Sequence, residues 1–127
     1  MADAVLDASA LLAYLQGEPG GSIIEALMAS SVICAVNAAE VVGKLIDGGL
    51  DPAVASDVVA SLPLTIVALD ATRGLRAGTL RQATRSRGMA LGDRCCLSLA
   101  EAEAAPAVTA DRLWAQLDIG VEIQLIR

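Results

Sequence analysis

Short apolar runs alternate along the chain with longer stretches whose apolar residues recur every three or four positions, the pattern of βαβ units wound around a parallel sheet. Ala4-Val5-Leu6 reads as a brief strand ending at Asp7, and Ser9 stands where an N-cap hydroxyl opens a helix through Leu11, Leu12, Tyr14 and Leu15. The run Gly17 to Gly21 ends that helix, and Ser22 to Glu25, with the S-x-x-E form of a capping box, starts a second one. Val32 to Val36 is the second strand; Asn37 then caps a helix that carries Glu40, Val41, Lys44 and Leu45 and stops at Gly48-Gly49. Asp51-Pro52 places a cap and a first-turn proline ahead of a helix over Ala53 to Leu62, which Pro63 closes. Leu64 to Leu69 is the third strand, and Asp70 begins one long arginine-bearing helix, with Leu75 and Leu80 facing inward and Gly88 as its stop. Gly92-Asp93 opens a helix with inner positions Leu97, Ala100 and Ala104, ending before Pro106. Ala107-Val108-Thr109 is short for a strand; Leu113, Trp114 and Leu117 mark an amphipathic turn after Asp111, with Trp114 in the core, and Val121 to Ile126 is the last strand.

Length and composition narrow the chemistry. At 127 residues the expectation is one domain, and 55% hydrophobic with 19% charged residues is the balance of a compact fold. There is no histidine, so Ser-His-Asp and Cys-His catalysis and histidine-held zinc are excluded, leaving carboxylates, hydroxyls, arginine and thiols. Nine basic against fifteen acidic residues give a net charge of −6, which argues against nucleic-acid binding by overall charge. Yet Arg73, Arg76, Arg81, Arg85, Arg87 and Arg94 crowd into one stretch whose only acid is Asp93. That stretch is either a solvated face or a track for a phosphate backbone. Cys34, Cys95 and Cys96, an odd number without C-x-x-C spacing, read as buried apolar residues in a reducing compartment. No membrane-length apolar segment and no basic leader are apparent, so the expected location is the cytoplasm.

Asp7, Glu40, Asp93 and Asp111 fall at or beyond the carboxyl end of an expected strand or at the start of the next helix, the edge where open α/β sheets bind ligands. Four clustered carboxylates repel, each pair by about 4 kcal/mol at ~4 Å and an effective dielectric of ~20, so protons or a cation must offset the charge. An all-oxygen set selects Mg²⁺ or Mn²⁺ over zinc, and such an ion suits phosphoester hydrolysis through an activated water, which needs no histidine. Ser9, Asn37 and Thr109 lie beside the acids as groups that orient ligands or hold water. Each acid also has a structural reading. Glu40 completes an N-x-x-E capping relation with Asn37, and Asp93 and Asp111 are in cap positions. Asp70 is the control, since it ends a strand but is needed as the cap of a long helix, whereas Asp7 has no evident structural duty.

The segments Val5 to Leu12 (VLDASALL), Val36 to Val41 (VNAAEV), Leu91 to Leu97 (LGDRCCL) and Val108 to Trp114 (VTADRLW) resemble, in order and spacing, the four motifs of the PIN-domain nucleases, and most closely the VapC toxins of bacterial toxin–antitoxin pairs. The resemblance spans residues 1–127 and implies a single domain in which helices sandwich a central, mostly parallel sheet. It implies an Mg²⁺- or Mn²⁺-dependent endoribonuclease with Asp7 and Asp93 as principal metal ligands, Glu40 completing the site and Asp111 as the more variable fourth acid. It further implies that Ser9 and Thr109 support those ligands, that the toxin is a homodimer acting on RNA, and that a cognate antitoxin blocks the acidic pocket with a basic side chain. Two other readings compete: a receiver-like Mg²⁺-binding domain, disfavoured because Lys44, the only lysine, lies inside a helix, and a silent module whose acids merely cap helices while it binds a partner.

Overall fold

The computed structural model describes residues 2–127. Five short strands, β1 (Ala4–Leu6), β2 (Ser31–Cys34), β3 (Thr65–Val67), β4 (Ala107–Thr109) and β5 (Ile123–Leu125), form one sheet in the order β3-β2-β1-β4-β5. Every neighbouring pair is parallel, with Val5 opposite both Val32 and Ala107, Ile33 opposite Ile66, and Val108 opposite Gln124. Because side chains alternate along a strand, Ala4, Leu6, Ile33 and Val108 serve one apolar layer while Val5, Val32, Cys34 and Ala107 serve the other. The first layer is completed by α1 (Ala8–Leu15), α2 (Gly21–Leu27), α3 (Ala35–Asp47) and α4 (Pro52–Ala60). The second holds α5 (Ala71–Thr79), α7 (Leu91–Glu103) and the fully buried Trp114. The result is the expected three-layer α/β/α sandwich. The chain leaves β1 toward β2 and β3 on one side and later returns to β4 and β5 on the other, so the topological switch falls between the carboxyl ends of β1 and β4.

Caps and breaks follow the sequence signals in some places and not in others. Asp51 caps α4 ahead of Pro52, and Asp70 caps α5 by accepting from the Arg73 amide at 2.8 Å. The expected caps at Ser9, Ser22 and Asn37 are not caps. Ser9 and Asn37 lie inside α1 and α3, their side chains spent on other partners, and α2 starts a residue before Ser22 at Gly21. Gly21 is required there, since a Cβ would stand 2.7 Å from the Ala13 carbonyl oxygen, so α1 and α2 can approach only at a glycine. Strand β2 ends at Cys34, the last residue that pairs with β3, and Val36 is already helical.

The single long arginine helix is also corrected. It breaks at Leu80 into α5 and α6 (Arg81–Thr84), followed by a 3₁₀ turn over Arg85–Arg87 that ends at Gly88 with φ +66°. The Thr79 and Thr84 hydroxyls each donate at 2.8 Å to a carbonyl of the preceding turn, the back-bonding that bends helices. Leu80 is buried as expected, but Leu75 is 75% exposed, because α5 meets α7 through Ala77 and the arginine stems instead. Ala104 likewise faces solvent, in a left-handed conformation (φ +51°) that ends α7. All three cysteines are buried and unpaired. No helix among the described residues is long and apolar enough to cross a membrane.

Candidate active site

Asp7 occupies the N-cap position of α1, yet its carboxylate makes no capping bond. Its Oδ2 instead accepts from the Ser9 hydroxyl at 2.6 Å and from the Thr109 hydroxyl at 2.9 Å. Those hydroxyl oxygens in turn accept from the amides of Ala110 and Asp111, each at 3.0 Å, so each hydroxyl has its single proton directed at Asp7. Two strand ends are thereby tied together at the switch point, with one carboxylate held between them. Burial pushes the Asp7 carboxyl above the ordinary aspartate value, against the pull of the two hydroxyl donors.

A second bridge joins α3 to α7. Asn37, fully buried, donates from Nδ2 to Glu40 Oε1 at 2.8 Å and to the Gly92 carbonyl at 2.9 Å. Gly92 is itself a condition of this contact, since a Cβ there would lie 2.7 Å from the Glu40 carboxyl carbon. Partial burial raises the Glu40 carboxyl, with Asn37 opposing and Asp7 adding repulsion. One residue further on, Asp93 accepts from the Ala90 amide at 2.9 Å in the first turn of α7. Burial pushes Asp93 up to about 6, reinforced by the charges of Asp7, Glu40 and Asp111. Asp111 caps a 3₁₀ turn over Arg112–Gln116 by accepting from the Leu113 amide at 2.9 Å. Asp111 is therefore the N-cap it reads as in sequence, whereas Asp93 is not: the N-cap of α7 is Ala90, and Asp93, at the third helical position, reaches back to its amide. Both residues also border one cleft of about 210 Å³ with Asp7, Ser9, Leu12, Glu40 and Lys44.

The model of the PIN domain family matches residues 4–120. The chain belongs to the PIN domain family. No curated protein sequence matches it. Solved structures with the same fold include a DNA-bound VapBC from Salmonella typhimurium, with a TM-score of 0.74 at 15% identity over 100% of both chains. A toxin–antitoxin complex from Klebsiella pneumoniae superposes with a TM-score of 0.71 at 18% identity, covering 94% of this chain and 99% of the other. The sarcin-ricin loop cleaving toxin VapC20 of Mycobacterium tuberculosis gives 0.73 at 14% identity, covering 94% and 98%.

Within this PIN domain, all four acids singled out in the sequence border the same cleft, and Ser9, Asn37 and Thr109 each hold one of them or the chain beside it. As the side chains stand, no group of three or more histidine, cysteine, aspartate or glutamate residues among those described is close enough to ligate one ion together. Two members of the site, Gly92 and Lys44, are not among the residues that the sequence reading assigns to it. Gly92 reads in sequence only as a helix start, and its role as clearance for Glu40 emerges from packing. Lys44 lies one turn after Glu40, an i,i+4 pairing visible in the sequence, and its charge pulls the Glu40 carboxyl down while it borders the cleft.

The six arginines do not form one track. Arg76 grips Glu101 through two bonds, Nε to Oε1 at 2.9 Å and Nη2 to Oε2 at 2.8 Å, and holds that carboxyl below the usual glutamate range. Arg73 reaches Glu101 at 3.7 Å and the Ser98 carbonyl at 3.3 Å, so both residues clamp α5 onto α7. Arg94 is buried in α7 with its Nε unpartnered. Only Arg81, Arg85 and Arg87 stay at the surface outside the ion pairs found among the described residues.

Proposed function

We propose that this PIN domain is a metal-dependent endoribonuclease, the toxic component of a type II toxin–antitoxin module, with RNA as substrate and Mg²⁺, or Mn²⁺ in its place, as cofactor. The observation that carries the reading is the convergence of Asp7, Glu40, Asp93 and Asp111 on one cleft at the switch point, in a chain without histidine. The donor set fits a hard divalent ion: every acid offers oxygen, and burial, reinforced by the charges of the other three acids, raises the proton affinity of Asp93, a cost that a cation offsets. Mg²⁺ commonly keeps several waters and takes one or two carboxylates directly, so the looseness of the four acids is compatible with it.

In this reading Asp7 and Asp93 hold the ion, Glu40 completes the site and Asp111 stands at its outer edge. Held there, such an ion would supply Lewis acidity toward a water and the phosphate. Ser9 and Thr109 fix the Asp7 carboxylate, and Asn37 fixes Glu40 against the first turn of α7. Lys44 offers a cation beside the anionic substrate. We further infer a homodimer acting in the cytoplasm, restrained by a cognate antitoxin whose basic side chain enters the acidic cleft; the VapBC and toxin–antitoxin structures that share the fold support the antitoxin partner.

Purified protein incubated with end-labelled RNA should cleave it in Mg²⁺ or Mn²⁺, stop in excess EDTA, and leave fragment ends that map to defined positions. Asp93→Asn should remove the activity. Absence of cleavage with either cation across a set of transfer, ribosomal and messenger RNAs overturns the proposal.

A further inference from the structure

The surface arginines that α5 and α7 leave unused gather with one the sequence pattern does not group with them. Arg87 and Arg112 border one cleft of about 370 Å³, together with Ser86, Gly88, Leu113 and Gln116. No acidic residue among those described borders it. Arg87 is braced from one side, its Nη1 donating to Gln116 Oε1 at 2.8 Å, and Arg112 from another, its Nε donating to the Arg127 carbonyl at 3.2 Å. Each guanidinium has five N–H donors, and these bonds occupy one apiece, so both keep donors for a further acceptor. Arg85 stands exposed in the same 3₁₀ turn as Arg87.

The basic cleft and the acidic one share no bordering residue, but the chain joins them at two places. Arg112 follows Asp111 in the chain, and the segment after Arg87 leads through Gly88 into α7, whose third residue is Asp93. A phosphodiester strand approaching the four acids meets repulsion from a protein of net charge −6, and a neighbouring pair of guanidinium groups in a cleft without acidic walls is the compensation it requires. We propose that Arg87 and Arg112 form a backbone subsite that holds a phosphate of the RNA strand flanking the scissile bond, with Arg85 at its rim. The subsite rests on the ribonuclease reading, and it separates the arginines by role: Arg73 and Arg76 hold helices together, while Arg87 and Arg112 hold substrate.

The test measures binding apart from cleavage. In an Asp93→Asn background without divalent cations, a fluorescein-labelled single-stranded RNA is titrated across a salt series. The doubly substituted Arg87→Gln/Arg112→Gln protein should bind about ten-fold more weakly, and the salt exponent should shrink by about 0.7 for each phosphate that is no longer neutralised. Arg87→Lys/Arg112→Lys should retain much of the salt dependence, and Arg81→Gln, which does not border the cleft, should change neither quantity. Unchanged melting temperatures for the substituted proteins separate weakened binding from impaired folding. With divalent cation and Asp93 restored, Arg87→Gln should raise KM and leave kcat near the parent value. RNA affinity and salt exponent unchanged in the double variant overturn the subsite, as does failure of the Asp93→Asn protein to bind RNA at all. Binding that behaves as described in a protein whose parent never cleaves RNA overturns the nuclease reading and leaves the subsite standing.

Discussion

Asp7 and Asp70 both occupy the N-cap position of a helix that follows a strand. Asp70 sits in solvent after the edge strand β3 and gives its carboxylate to the Arg73 amide, as a cap should. Asp7 sits buried after β1, at the centre of the sheet, and gives its carboxylate to two side-chain hydroxyls from separate elements. The difference is one of tertiary position: an edge strand opens to water, whereas the central strand delivers its terminal residue to the point where β1 and β4 part. Burial, a side-chain partner recruited from a distant segment and a raised proton affinity distinguish Asp7, the acid proposed as a metal ligand, from Asp70, the acid that closes a helix.

The contrast is broken most forcefully by neutralising each acid in turn. Asp7→Asn should abolish RNA cleavage while preserving the fold, since the amide is nearly isosteric and its oxygen can still accept from Ser9 and Thr109. Asp70→Asn should cleave at the parent rate, because asparagine caps helices as well as aspartate does. Equal activities in the two variants, measured on the same RNA, would erase the distinction. Next in size are the hydroxyls. Removing a group that orients a metal ligand typically costs 10- to 100-fold in affinity, so Ser9→Ala should weaken Mn²⁺ binding by roughly that factor, as read from Mn²⁺-dependent melting curves. Thr109→Val, which keeps the shape but removes the proton given to Asp7, should do the same and also leave the Asp111 amide without its acceptor.

Why one acid was transparent in sequence and its neighbours were ambiguous follows from the same geometry. The sheet, its parallel sense and the placing of the acids at one edge were legible because buried parallel strands are apolar runs and the helices between them carry their own period. The polar residues at helix starts misled. Ser9 and Asn37 have the chemistry of caps, and only the assembled sheet brings Thr109 and Gly92 within their reach and turns them to another task. The arginine stretch was legible as a basic segment but not as three populations, because burial of Arg94 and capture of Arg73 and Arg76 depend on Glu101, Ser98 and the packing of α7, which local sequence does not encode.

Proton affinity sharpens the comparison further. Asp93 titrates near 6 in the folded chain, above its ordinary value, and Asp7 and Glu40 shift in the same direction. A carboxyl that binds its proton more tightly when folded stabilises the fold below its unfolded value and loses that contribution as pH rises through the folded one. The metal-free protein should therefore melt at a progressively lower temperature, as far as these groups decide it, as pH climbs from about 4 through about 6. Saturating Mn²⁺ should reverse the trend over the same window, because the cation competes with the protons it replaces. Melting temperatures in EDTA and in Mn²⁺ across this range test the sign, and a cation effect independent of pH would remove the carboxylates from the site.

The smallest effect is expected at the capping acid. Asp70→Ala removes one exposed bond to the Arg73 amide, a loss worth about 1 kcal/mol for an N-cap, or roughly 3 to 5 °C in melting temperature for a domain of this size. It should leave both cleavage and the Mn²⁺-induced rise in melting temperature unaltered, since Asp70 does not border the cleft. The first turn of α5 also carries Arg73, so fraying there loosens one strand of the clamp on Glu101 while Arg76 keeps its two bonds. Combining Asp70→Ala with Arg73→Ala should therefore destabilise by less than the sum of the two, whereas Asp70→Ala with Ser9→Ala, from opposite layers of the sandwich, should be additive. Coupling between Asp70 and Ser9 would mean that the two strand-end acids belong to one network after all.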